Sequence, residues 1–118
     1  MSWFGRLARW ARESSWRWRH RPYRARFVDE RLPKRLKRRM LYIVQEDGFQ
    51  EYAAMVCPCG CGDVLHMNLL PDERPCWTFT RHENETASLH PSVWRTKNCG
   101  AHFFLRRGEI QWCNADAD

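Results

Sequence analysis

The chain has 118 residues and a mass of 14.3 kDa, room for one domain once any tail is set aside. Its net charge of +6 is unevenly spread: residues 1–40 hold 14 of the 20 Lys and Arg against three acids (Glu13, Asp29, Glu30), and residues 41–118 sum to −5. No stretch approaches the roughly 18 apolar residues of a membrane span, and Arg6, Arg9 and Arg12 interrupt what would be the apolar run of a signal peptide, so neither a spanning nor a secreted protein is expected.

Four of the seven Trp, at 3, 10, 16 and 18, crowd the start. Trp3, Phe4, Leu7, Trp10, Ala11, Ser14 and Trp18 recur at three- and four-residue steps, with Arg6, Arg9, Arg12 and Arg19 falling largely elsewhere. This pattern predicts an amphipathic helix from Ser2 to about Arg19, capped by Ser2. Pro22, Pro33 and the basic run Arg31–Arg39 read as a linker. Residues 1–39 are therefore expected to form a basic, Trp-rich arm, and 40–118 a separate body.

The body opens with the strand Met40–Val44, ended by a turn at Glu46-Asp47-Gly48. Short strand candidates follow at Tyr52–Val56, Val64–Leu70, Trp77–Arg81, Ala87–His90, His102–Leu105 and Glu109–Cys113. Arg106-Arg107-Gly108 reads as a hairpin loop with Gly at positive φ, and Glu83-Asn84-Glu85 as another connection. The fold expected is a small, mostly antiparallel β domain with an N-terminal helical arm. About 80 residues bury only a marginal core, for which a structural metal is a common remedy.

Cys57-Pro58-Cys59-Gly60-Cys61-Gly62 supplies the means. Cysteines two apart are poorly spaced for disulfides and well spaced for a metal, which points to zinc in a reduced, cytoplasmic setting. Gly60 and Gly62 let the backbone curl around an ion. Zinc usually takes four N/S ligands, and Cys99-Gly100-Ala101-His102 is the second half of the site. Cys57, Cys59, Cys61 and Cys99 would make a closed, structural set; His102 in place of one of them would also make four. A deaminase is excluded, since no His-x-Glu precedes Pro58-Cys59-Gly60-Cys61, and a haem site is excluded for want of Cys-x-x-Cys-His. Cys76 and Cys113, each beside a Trp, read as partly buried free thiols.

Ser88-Leu89-His90-Pro91-Ser92-Val93-Trp94 is dense in polar chemistry. Pro91 biases His90 to an extended conformation and fixes the approach to Ser92. With a His in reach, Ser92 could act as a nucleophile; spacing alone favours the plainer reading, in which Ser92 caps a turn and His90 is an exposed strand residue, and there is no Gly-x-Ser-x-Gly elbow.

Leu41-Tyr42, the Cys-x-Cys-Gly-Cys-Gly run at 57–62, Leu69–Pro71, Trp77, Ser88-Leu89 with Pro91-Ser92, Cys99-x-x-His102-Phe103 and Gly108 with Trp112 occur in an order that resembles the BubE-like family. These are small Cys-rich proteins of bacterial operons that encode ubiquitin-like proteins with their activating and conjugating enzymes. The resemblance covers roughly residues 27–113. It implies a serine-type, zinc-stabilised, deubiquitinase-like peptidase that matures ubiquitin-like precursors or removes the modifier. Ser92 would be the nucleophile, His102 the base (with His90 as the other candidate) and Asp63 an orienting carboxylate, and Cys99 would join Cys57, Cys59 and Cys61 at zinc. Ala101 and Met55 depart from the family pattern, where Ser and, in some members, His stand.

The arm lies outside the resemblance. Its Trp/Arg pattern suits an anionic membrane surface, nucleic acid or an acidic partner. The expectation from another functional class is a non-enzymatic zinc-binding module whose arm binds nucleic acid or an acidic partner.

Overall fold

The computed structural model describes residues 21–113; the expected helix of the arm lies outside the described residues. Eight strands run in chain order: β1 Arg24–Asp29, β2 Met40–Glu46, β3 Phe49–Val56, β4 Val64–Asn68, β5 Thr78–Arg81, β6 Ala87–Trp94, β7 His102–Arg106 and β8 Glu109–Trp112. A single 3-10 turn, Glu83–Glu85, joins β5 to β6. The described residues contain no α-helix. The strands form two four-stranded sheets, ordered β1-β2-β3-β4 and β5-β6-β7-β8. Every pairing is antiparallel except β1 with β2.

One apolar cluster draws on both sheets. Leu41, Ile43, Ala53, Met55, Leu65 and Met67 from the first meet Ala87, Leu89, Val93, Phe103 and Leu105 from the second. The alternation that puts Leu65 and Met67 inward and Val64 and His66 outward is the period of two of a half-buried strand. β2 instead reads as a continuous apolar run, because Leu41 to Val44 are all buried. The Lys37 amide donates to the Tyr42 hydroxyl at 2.9 Å, which ties the basic segment before β2 to this strand.

The stretch read as linker therefore contributes to the body. β1 lies within it, paired in register from Arg24 with Met40 to Asp29 with Gln45. Its two arginines, Arg24 and Arg26, are exposed while Ala25, Phe27 and Val28 are half-buried. Basic composition masked a short edge strand.

Backbone hydrogen bonds tie the two sheets around Tyr23. Tyr23 N–H donates to Gly108 O at 2.8 Å, Gly108 N–H to Ala87 O at 2.7 Å, and Ala87 N–H to Tyr23 O at 3.2 Å. Gly108 has φ +80°, and a Cβ there would lie 2.7 Å from Pro22 Cβ and 3.0 Å from Tyr23 O. Both conformation and space require glycine in the β7–β8 hairpin.

Candidate active site and metal centre

Two loops build the metal centre. The first leaves β3 at Val56 and carries Cys57, Cys59 and Cys61; the second leaves β6 at Trp94 and carries Cys99. The first curls as Gly60 and Gly62 allow, at φ +95° and +88° with open space around both. Cys57 N–H donates to Asp63 O at 2.8 Å and closes the loop. All four sulfurs lie within 4.8 Å of one another, Cys57 Sγ being 3.4 Å from Cys59 Sγ and 3.6 Å from Cys99 Sγ. A tetrahedral ion with bonds of about 2.3 Å places its sulfurs about 3.8 Å apart. The four cysteines are thus placed to hold a metal ion, consistent with zinc. Cys57 is buried and the other three are exposed. Cys76 and Cys113 stand apart from the cluster as half-buried free thiols.

The thiols are electrostatically unlike. Burial pushes Cys57 up, hydrogen bonding with Cys61 carries Cys59 up to about 12, and the Ala101 amide holds Cys99 down at about 6. Arg95 supplies the nearest positive charge. Its Nη1 lies 3.2 Å from Cys99 Sγ and 3.6 Å from Cys61 Sγ, and its Nη2 lies 3.0 Å from Asp63 Oδ2. Its side chain is only 15% exposed. Asp63 chiefly, then the thiols, raises the guanidinium further.

That contact revises the role expected of Asp63 as the carboxylate orienting His102. Asp63 is adjacent to the cysteines in sequence, but its carboxylate is engaged by Arg95. Among the described residues, no carboxylate hydrogen-bonds to His102.

The second constellation lies where β6 meets β7. Val93 pairs with Phe103 and Trp94 with His102, whereas Leu89 pairs with Leu105, so the register shifts between Leu89 and Val93. Pro91 has no N–H to give the ladder, and a break at that point is its expected effect. Ser92 falls in the irregular stretch. Its carbonyl accepts from Trp77 Nε1 at 3.2 Å, and its Oγ lies 3.0 Å from His102 Nε2. The His102 carbonyl in turn accepts the Cys113 N–H at 2.9 Å. Both residues are half-buried. His90 is exposed next to buried Leu89.

Three features escaped the sequence reading. Trp94 stacks on His102, with ring centroids 5.1 Å apart and an interplanar angle of 21°. Arg95 caps the sulfurs. A second pair, His82 Nε2 and Ser88 Oγ, is 2.6 Å apart. Each depends on strand register or loop closure; only the density of polar residues around Ser88–Trp94 signalled the region.

A serine hydroxyl within hydrogen-bond reach of a histidine nitrogen is the arrangement that nucleophilic acyl transfer requires. The family model of the bacterial ubiquitination-like system serine protease (BubE) matches residues 28–113. The chain belongs to this family. The match spans β2 to β8 whole and takes in all four clustered cysteines and both serine–histidine pairs. It begins one residue beyond the start of the resemblance read from the sequence motifs. No curated protein matches the chain, and no solved structure does. The family is thus one of serine proteases in a bacterial ubiquitination-like system.

Proposed function

We propose that the protein is a serine peptidase that cleaves after the C-terminus of a ubiquitin-like modifier, either maturing a precursor or releasing a conjugate. Ser92 is the nucleophile and His102 the general base. The observation that carries this reading is the 3.0 Å contact between Ser92 Oγ and His102 Nε2, in a chain whose family is named for serine proteolysis.

Neutral His102 accepts the Ser92 proton on Nε2 as Oγ attacks the carbonyl carbon of the modifier's last residue. The proton then passes from His102 to the leaving amine or hydroxyl, and the modifier remains as an ester on Oγ. Water, giving a proton to Nε2, attacks that ester; His102 returns the proton to Oγ and the modifier leaves with a free carboxylate. The Trp77 indole N–H, donated to the Ser92 carbonyl, and the Cys113 backbone N–H, donated to the His102 carbonyl, hold the two residues' main chains in place for this.

Zinc held by Cys57, Cys59, Cys61 and Cys99 supplies a structural cross-link between the two loops. Cys99 precedes His102 by three residues, so fixing the sulfur fixes the start of the strand that carries the base. Four protein ligands leave no position for a metal-bound water. The alternative of a non-enzymatic zinc module with a basic arm accounts for the cysteines and the charge but gives no role to the Ser92–His102 contact. The test is cleavage of a fusion between a ubiquitin-like protein of a bacterial ubiquitination-like system and a reporter. Parent protein should release the reporter at the modifier's C-terminus, and Ser92→Ala should not.

A further inference from the structure

A serine–histidine pair needs more than one hydrogen bond, because an imidazole rotates about two side-chain torsions and becomes cationic in mid-reaction. In a triad a carboxylate on the second ring nitrogen meets both needs. Here the carboxylate next to the metal loop, Asp63, is bound by Arg95, and among the described residues none hydrogen-bonds to His102. What His102 does have is Trp94. The two are cross-strand partners, and their rings stack face to face at 5.1 Å and 21°. Trp94 is 64% exposed, so core packing does not account for its position.

We propose that Trp94 is the positioning residue for the base. Its indole face holds the His102 imidazole in the plane that points Nε2 at Ser92, and its π-electrons attract the imidazolium that forms when Ser92 gives up its proton. The backbone already fixes both ends of this contact. Val93 is in register with Phe103, Arg95 N–H donates to Ala101 O at 2.8 Å, and Cys113 N–H donates to His102 O at 2.9 Å. The freedom left to His102 is that of its side chain, which the stack removes. The inference rests on the reading of Ser92 and His102 as the reacting pair.

The test uses the full-length, metal-loaded protein and an alkyl fluorophosphonate probe. Ser92 Oγ forms a bond to phosphorus, fluoride leaves, and His102 takes the hydroxyl proton, so labelling reports the pair without needing a substrate. For Trp94→Leu the maximal labelling rate should fall about tenfold, equivalent to about 1.4 kcal/mol of activation free energy, while the half-saturating probe concentration stays within about twofold. Trp94→Phe keeps a ring face and should recover most of the lost rate. It also keeps the test informative if the leucine variant unfolds. Equal rates for parent and both variants would overturn the proposal. So would a rise in half-saturating concentration at unchanged maximal rate, which would make the indole a docking surface. Ser92→Ala is run alongside. If it labels as fast as parent, the reading of the reacting pair has failed; if it is silent while Trp94→Leu matches parent, only the role of Trp94 has.

Discussion

Ser88 Oγ lies 2.6 Å from His82 Nε2, so β6 carries a second serine–histidine contact four residues before the first. The two hydroxyls differ in what else they touch. Ser88 Oγ also accepts the Arg107 backbone N–H at 2.8 Å, clipping the β7–β8 turn to β6, whereas among the described residues Ser92 Oγ meets only His102. Ser88→Ala should therefore keep peptidase activity within about threefold of parent and lower stability by about 1 kcal/mol, since half-buried His82 loses its partner while the exposed Arg107 N–H can turn to water. Urea unfolding paired with a cleavage assay separates the two effects. Loss of cleavage in a folded Ser88→Ala protein would move the nucleophile.

Arg95 is the only guanidinium recorded on the sulfurs among the described residues. A zinc held by four thiolates carries a net charge of −2, and Arg95 offsets part of it while joining both loops through Asp63. Groups that hydrogen-bond to metal ligands typically affect metal retention by about 10- to 100-fold. Arg95→Gln should speed zinc transfer to a chromogenic chelator by about tenfold or more. Asp63→Asn should act in the same direction and more weakly, because it removes the partner of Arg95 and not the contact with sulfur.

Metal uptake should displace protons. Without metal, Cys59 is pushed up to about 12 by hydrogen bonding with Cys61 and Cys57 is pushed up by burial, so both hold protons at neutral pH. Cys99, held at about 6 by the Ala101 amide, is already a thiolate there. Raised pKa values favour the protonated thiol, so protons compete with the metal and affinity falls as the pH is lowered. At pH 7.5, titration calorimetry in buffers of different ionisation enthalpy should record fewer than four protons released per zinc. Release of four would contradict an ionised Cys99.

Much of the body was legible in the sequence because its signals are local. Alternation in Val64–Asn68, the turn at Asp47-Gly48 and the glycine at 108 each report on a few neighbouring residues. β1 was missed because its evidence is not local. Ala25, Phe27 and Val28 acquire meaning only once β2 runs beside them, and Arg24 and Arg26 suggested a linker. The cysteines follow the same rule in reverse: spacing every second residue reveals a metal loop whatever the fold. Ser92 and His102 were named through the family resemblance, yet their contact depends on a register shift at Pro91 that composition does not show. Asp63 was placed near the base because it follows the cysteines; Arg95, 32 positions away, decides where its carboxylate points.

Gly108→Ala tests the join between the sheets. The added methyl would meet Pro22 Cβ at 2.7 Å and Tyr23 O at 3.0 Å at a φ of +80°. The cost should be about 1–3 kcal/mol, read as a lower urea midpoint at unchanged slope. An alanine variant as stable as the parent would show that this junction yields without loss.

The central claim is that Ser92 performs the chemistry with His102. Its most direct measurement is the initial rate at which metal-loaded, full-length protein cleaves a fusion at the C-terminus of a ubiquitin-like protein from a bacterial ubiquitination-like system, compared with Ser92→Ala of equal fold and zinc content. The account predicts a loss of about a thousandfold or more, the scale on which serine nucleophiles matter. Cleavage by Ser92→Ala within about tenfold of the parent would contradict it.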